Sequence, residues 1–360
     1  MKNFYAVIMA GGIGSRFWPI SRTAHPKQFI DILGTGKTLI QQTYERFLKI
    51  VPAENIYIVT NDNYKSLVME QLPQLPADQI LGEPVMRNTA PCIAYACHKI
   101  AMLNPDASIV VSPADHLIID TEEFVKDINF SLDAASRNNC LITLGIKPSR
   151  PDTGYGYIQF TQHTLEGNLH KVKTFTEKPN SELASTFVHS GEFLWNAGIF
   201  VWSVSSILNA FDQHLHEMNE IFKEGDKKFN TPDEQPFIQN AYYQCTNISI
   251  DYGIMEKASN VYVLPTDFGW SDLGTWASVY ELSEKDYLGN SVQHSKKVMM
   301  YDSSNCIVNV PPDKLVVLQG LDDYIVVEAN NTLMICHKSQ EQRVKEIVSD
   351  VKSKFGTEYI

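Results

Sequence analysis

The sequence predicts an α/β fold in which a mixed, mostly parallel sheet carries helices on both faces and a small β domain follows. Short β-branched runs alternate with amphipathic stretches through the first half of the chain. After about residue 150 strand-like runs follow one another more closely, and beyond about 288 they recur at nearly regular spacing with turn residues between them. At 360 residues the chain has room for one large and one small domain, expected over 1–287 and 288–360.

The first strand is the continuous apolar run "FYAVIM"; glycines and Arg16 follow it without a small-residue cleavage pattern, so it reads as a strand and not a signal peptide. "IYIVT" (56–60), "SIVVS" (108–112) and "CLITLG" (140–145) are further buried strands bounded by polar or turn residues. Helical spacing over 38–50, 64–72, 90–103 and 122–137 supplies the crossovers; Ile40, Tyr44, Phe47 and Val51 form the first helical face. "GYGYIQF", "HKVKTFTEKP" and "NAGIFVWS" suggest strands added around a cleft. "CIVNV", "KLVVLQG", "YIVVEA" and "TLMICH" suggest a few coils of a β-helix. Val344, Ile347, Val348, Val351 and Phe355 share one face of a final helix that caps this β domain, its charges expected to face solvent.

Composition excludes several classes. Hydrophobic residues make up 44% and charged residues 20%, and no apolar run approaches the roughly eighteen residues that cross a bilayer, so no membrane partner is expected. A net charge of −12 opposes broad binding to nucleic acid, which leaves any phosphate chemistry local. The six cysteines include no C-x-x-C pair; they read as small core hydrophobes in a reducing, cytoplasmic setting.

In open α/β sheets ligands gather at the carboxyl ends of strands. "AGGIGSRFWPISRTAHPKQF" (10–29) lies there, and "SPADH" (112–116) follows a later strand. Two familiar phosphate motifs fail. A dinucleotide fingerprint starting at Gly12 needs glycine at 17, where Phe17 stands, and a Walker A loop ending in "GTGKT" needs glycine at 31, where Asp31 stands. Gly34, Gly36 and Lys37 instead form a turn into the next helix. What remains is a backbone, Ala10, Gly11, Gly12, Gly14 and Ser15, that can approach a triphosphate, with Arg16 as a fork for phosphate oxygens and Lys27 as a mobile point charge.

"GGIGSRFWPISR...PKQF" resembles the signature of nucleotide-sugar pyrophosphorylases, especially mannose-1-phosphate guanylyltransferases. "GEPVMRNTAP" (82–91), "SPADH", "TGYGYI" (153–158), "FTEKP" (175–179), "WNAGIF" (195–200), "SIDYGIMEK" (249–257) and "GWSDLGTW" (269–276) continue the resemblance in the same order. Phe17 replaces a more usual leucine and Thr176 a more usual valine, both as packing changes. The resemblance implies a Rossmann-like nucleotidyltransferase domain that forms GDP-mannose and pyrophosphate from GTP and mannose 1-phosphate with Mg²⁺, as a homodimer.

By the same resemblance, Asp115 and Asp272 hold the metal, and hard carboxylate oxygens suit Mg²⁺. Lys178 grips the sugar phosphate, while Glu177, Asn196 and the close approach allowed by Gly156 serve the hexose. Glu83 accepts from guanine, with Arg87, Asn88 and Thr89 on base, ribose or phosphate. His116 is expected to support its neighbour Asp115 and not to act as a base, because the sugar phosphate is itself the nucleophile. Two other readings stay open at this point: the same chemistry on another sugar 1-phosphate, such as GDP-heptose synthesis, and a non-catalytic regulatory subunit of the same fold.

Overall fold

A computed structural model describes residues 3–12 and 14–360; Met1, Lys2 and Ile13 of the glycine-rich stretch lie outside the described residues. By compactness the chain divides into two units that do not follow sequence order. Unit 1 takes residues 1–11, 43–114 and 118–270, and unit 2 takes 12–42, 115–117 and 271–360.

The strands of unit 1 begin with β1 (Phe4–Ala10), β2 (Ile56–Asn61), β3 (Ile80–Glu83) and β4 (Ser108–Pro113). After the two-residue β5 (Leu117–Ile118) come β6 (Leu141–Ile146), β7 (Tyr157–Thr164), β8 (His170–Thr176), β9 (Phe193–Ser203) and β10 (Val261–Thr266). Among the described residues all but β5 join one nine-stranded sheet in the order β3-β2-β1-β4-β9-β6-β10-β8-β7, with β7 also pairing β9. The first four strands are mutually parallel, as the alternating pattern predicts, and β9 runs antiparallel to β4 and β6, which makes the sheet mixed.

Register places the ends of these strands together: Ala10 lies opposite Thr60, Asn61 opposite Glu83, and Met9 opposite Pro113. The carboxyl edge therefore carries two of the expected motifs. After α1 (Leu39–Phe47) and α2 (Lys65–Gln71) comes α3 (Thr89–Leu103). Tyr5, Val7, Tyr57 and Val59 bury one face of the sheet against Ile93, Tyr95 and Ile100 of α3 and against Phe211 and Phe222 from later helices. α3 is apolar on nearly all sides, as a fully covered helix must be. On the other side Phe124 of α4 (Thr121–Arg137) meets Phe47 edge-on.

In unit 2 the strands 291–293, 307–309 and 324–329 pair in parallel, Ser291 opposite Ile307 and Ile307 opposite Ile325, and 298–301 pairs in parallel with 316–319. Parallel strands stacked at intervals of one coil are the β-helix arrangement, and Val308, Val310 and Val326 fill its interior. A final antiparallel strand, 332–337, closes the sheet. The terminal helix Val344–Phe355 then packs Val344, Ile347, Val348 and Val351 into a core shared by Ile307, Ile325, Val327 and Met334, as its periodicity predicts; Phe355, expected on the same face, is 60% exposed. That core also takes in Phe17, Trp18, Ile30 and Ile32, so the glycine-loop segment and the C-terminal strands are one folding unit.

Candidate active site

Gly14, Ser15, Arg16, Phe17, Lys27, Asp115, His116, Asp272, Gly274 and Lys345 line one cavity of about 240 Å³ within unit 2. Four segments widely separated in sequence supply it. Gly14 has a left-handed φ of 66°, and a Cβ there would lie 2.4 Å from that of Lys27, so only glycine fits the approach. The next residues form a 3-10 turn, Ser15–Phe17, whose buried Phe17 packs edge-on against Trp276. Arg16 Nε is buried without a hydrogen-bond partner among the described residues. A buried donor left unmet costs about 1–3 kcal/mol, and an anion in the cavity would satisfy it.

Lys27 corrects the expectation of a mobile point charge. It is 4% exposed, and its ammonium donates to the carbonyl oxygens of Asp272 (2.6 Å) and Leu273 (3.0 Å) while lying 3.0 Å from Asp115 Oδ2. Three protons meet three acceptors. The side chain is a clamp that fixes both aspartate segments. Burial pushes the Asp115 carboxyl up, but the Lys27 ammonium and then His116, whose Nε2 is 3.9 Å away, outweigh it and hold the group below the usual range. His116 thus adds to the field that favours the ionised Asp115. Asp272 Oδ1 accepts from Gly274 N at 2.9 Å, which turns the loop back on itself.

Two carboxylates beside the Arg16 and Lys27 cations on one small cavity fit a divalent ion of the Mg²⁺ type, which is commonly held by one or two carboxylates plus phosphate oxygens and water. Among the described residues, the three side chains Asp212, His216 and Glu220 also have ligand atoms within 4.8 Å of one another, but they are exposed, and Lys223 already bonds Asp212 and Glu220.

A second cluster lies within unit 1. A Cβ on Gly156 would sit 2.5 Å from Glu177 Oε2, so a side chain there would displace the Glu177 carboxylate from where it crosses that backbone. Glu177 Oε1 is 3.1 Å from Lys178 Nζ, whose side chain is 64% exposed. Asn196, expected to serve sugar hydroxyls, is tied into the fold on both ends of its amide. Its Oδ1 accepts from Thr143 Oγ1 (3.0 Å) and Gly198 N (3.1 Å), and its Nδ2 donates to Asp251 Oδ1 at 2.7 Å. Asp251, inside "SIDYGIMEK" but not foreseen as a site residue, is pushed up to about 6 by burial and then by the charge of Glu177. Only the quoted block could have pointed to it; no local pattern does.

The guanine candidates occupy a third position in unit 1. Glu83 ends β3, and a Cβ on Gly11 would lie 3.7 Å from its Oε2. Tyr242 ties the group together: its hydroxyl donates to Glu83 Oε1 (3.1 Å) and its carbonyl accepts from Arg87 Nε (3.3 Å). Burial pushes the Glu83 carboxyl up to about 7 against the pull of the Tyr242 hydrogen bond, with Asp62 adding to the rise. Asn88 and Thr89 serve the fold. Asn88 Oδ1 caps α3 through Thr89 N (2.9 Å), and Thr89 Oγ1 accepts from Ile250 N (2.9 Å), beside Asp251. Ala10, at the end of β1, accepts from Thr60 Oγ1 through its carbonyl, and Gly12 is exposed.

Backbone strain marks the same places. Among the described residues only Lys178 (φ 45°) and Leu273 (φ 44°) have positive φ without being glycine, asparagine, aspartate or histidine. Left-handed backbone costs such residues about 1–2 kcal/mol, and both belong to the clusters just described.

The family model for nucleotidyl transferases matches residues 5–288, and that of the MannoseP isomerase/GMP-like beta-helix domain matches 296–351. The chain is 36% identical to the alginate biosynthesis protein AlgA of Pseudomonas aeruginosa, over 98% of this chain and 73% of that one. It is 35% identical to a mannose-1-phosphate guanylyltransferase of Salmonella montevideo, over 98% of this chain and 75% of that one. Among solved structures, one described as a mannose-1-phosphate geranyltransferase from Thermus thermophilus superposes with a TM-score of 0.86 at 30% identity, covering 97% of this chain and 99% of that one.

Proposed function

Because the chain belongs to the nucleotidyl transferase family and, within it, to the mannose-1-phosphate guanylyltransferases, we propose that it makes GDP-mannose and pyrophosphate from GTP and α-mannose 1-phosphate. A phosphate oxygen of the sugar 1-phosphate attacks the α-phosphorus of GTP, a new P–O bond forms, and the bond to the β-phosphate oxygen breaks in line, releasing pyrophosphate. Nothing covalent is required of the protein; positioning and charge neutralisation carry the rate.

The observation that supports this most is the cavity where Arg16, Lys27, Asp115 and Asp272 meet. Gly14, Ser15 and the unmet Arg16 Nε suit the triphosphate, and Arg16 neutralises charge on the departing pyrophosphate. Lys27 holds Asp115 and the Asp272–Leu273 backbone in place before substrate arrives, which is the preorganisation that electrostatic catalysis needs. Asp115 and Asp272 would hold a divalent ion, proposed as Mg²⁺, which when bound supplies positive charge to the phosphate oxygens. In unit 1, Lys178 serves the sugar phosphate, Glu177 and Asp251 accept from hexose hydroxyls, and Asn196 positions Asp251. Glu83 serves guanine, its ionised form accepting the base's two edge N–H groups.

A homodimer and a cytoplasmic setting for six unpaired thiols complete the proposal; among the described residues no helix is long and apolar enough to cross a membrane. The test is pyrophosphate release from GTP, ATP, UTP and dTTP, each with mannose, glucose and heptose 1-phosphates. Release confined to GTP with mannose 1-phosphate is expected. Equal rates with UTP or dTTP would sink the guanylyl assignment.

A further inference from the structure

The guanine block and the sugar cluster of unit 1 are far apart in sequence, yet the short segment 248–250 joins them. Ile250 N donates to Thr89 Oγ1 at 2.9 Å, and Ala90 N donates to Ile248 O at 3.1 Å. Thr89 and Ala90 are the first two residues of α3, directly after Arg87 and Asn88. Ile250 is followed at once by Asp251. Two hydrogen bonds therefore tie the start of α3 to the residues that lead into the sugar cluster, and neither belongs to a helix or a sheet.

Asp251 depends on that tie for its backbone. It opens a five-residue π-turn, Asp251–Met255, and the residue ahead of the turn, Ile250, contributes no side-chain cap. Ile250 and Ile254 are fully buried in the core that contains Ile93 of α3. Apolar burial anchors the turn but is non-directional, so it does not fix how the chain is rotated there. Hydrogen bonds do. Asn196 Nδ2 holds one carboxylate oxygen of Asp251 at 2.7 Å, while Thr89 holds the peptide that precedes it. Without the Thr89 oxygen the Ile250 N–H would be buried and unpaired, and the segment would have to shift to find another acceptor. Asp251 would shift with it.

We propose that Thr89 is a positioning residue for the sugar phosphate: its hydroxyl oxygen holds Ile250 and thereby sets where Asp251 meets the hexose, so a residue of the guanine block governs binding of the other substrate. This rests on the reading that Glu177 and Asp251 accept from hexose hydroxyls. It makes the start of α3 a support for both sides. Asn88 Oδ1 caps the helix at Thr89 N, Arg87 just ahead of it bonds the Tyr242 carbonyl beside Glu83, and the hydroxyl of Thr89 reaches the sugar side.

The experiment measures KM for GTP and for mannose 1-phosphate in Thr89→Val, Thr89→Ser, Asp251→Ala and the double variant Thr89→Val with Asp251→Ala, with calorimetric titration by mannose 1-phosphate to follow binding without turnover. Thr89→Val keeps the shape and loses the acceptor. It is expected to raise KM for mannose 1-phosphate about tenfold, the scale of one misplaced hydrogen-bonding group, and to leave KM for GTP where it was. Thr89→Ser puts the acceptor back and should recover the wild-type value. In the double variant the effect of Thr89→Val should vanish, because the carboxylate through which it acts is gone. A rise in KM for GTP alone would overturn the proposal and make Thr89 a nucleotide contact. Equal rises for both substrates would assign it a general structural role, and effects that multiply in the double variant would show a route other than Asp251; either overturns the proposal. A wild type that uses a different sugar 1-phosphate with the same Thr89 dependence would overturn the mannose assignment and support the positioning. A wild type that binds no sugar 1-phosphate would overturn the reading of the cluster and the proposal with it.

Discussion

The cavity of unit 2 and the acidic cluster of unit 1 each combine a lysine with carboxylates, yet they hold their charges in different ways. In unit 2 the lysine is 4% exposed and all three of its protons have oxygen partners, one of them on Asp115. In unit 1 Lys178 stands 64% exposed on left-handed backbone, and Glu177 and Asp251 are close enough that the charge of one raises the pKa of the other. Around Lys27 the first arrangement is finished without substrate. The second stores repulsion and strain that a ligand offering hydroxyl donors and a phosphate would relieve.

The difference can be broken most directly at Lys27. Replacing it with methionine removes a buried charge that three groups depend on, so turnover should fall about a thousandfold and unfolding in urea should show a loss of about 2–4 kcal/mol. A full loss of turnover with no loss of stability would mean that Lys27 is not the clamp described. Asp115→Asn separates the two roles. It keeps an oxygen for Lys27, so stability should change by about 1 kcal/mol or less while turnover falls about a hundredfold to a thousandfold.

On the other side, Lys178→Gly should give the opposite sign in stability. Relief of the left-handed backbone should add about 1 kcal/mol, while KM for the sugar phosphate rises about tenfold or more from the lost ion contact. Destabilisation by this substitution would show that the conformation is not strained.

The remaining effect, on the pH dependence of stability alone, concerns Asp251. Its folded pKa of about 6 lies above the ordinary 3.8, so its contribution to stability is fully present below about pH 4 and is lost as pH rises through 6. Asn cannot ionise. The stability of Asp251→Asn relative to wild type should therefore rise by about 2–3 kcal/mol between pH 4 and pH 7 and then level off. Parallel pH profiles for the two proteins would remove the charge repulsion from the account.

Most of the fold is legible in the sequence because buried strands and amphipathic helices write their periods locally. "FYAVIM", "IYIVT" and "SIVVS" are strands of one sheet, and the regular runs beyond 288 are coils of a β-helix. Arg16, Lys27, Asp115 and Asp272 are different. No local pattern relates residues so far apart, and their common cavity was foreseen only through the resemblance of whole blocks. Burial of a charged group leaves no periodic trace either, so Lys27 read as mobile. Lys345 shows the complementary limit: helical spacing identifies the face that Val344, Ile347, Val348 and Val351 bury, but not what the residue beside that face looks onto. Strain at Lys178 and Leu273 is invisible for another reason, since neither residue type announces left-handed backbone as glycine does.

The central claim is that this chain transfers the α-phosphoryl end of GTP to a sugar phosphate. GTP radiolabelled either on the α- or on the γ-phosphorus, incubated with mannose 1-phosphate and Mg²⁺, tests it in one chromatogram. The account predicts that α-label appears in GDP-mannose and γ-label only in pyrophosphate. Label from the γ-position in a hexose bisphosphate, or intact GTP after prolonged incubation, would contradict it.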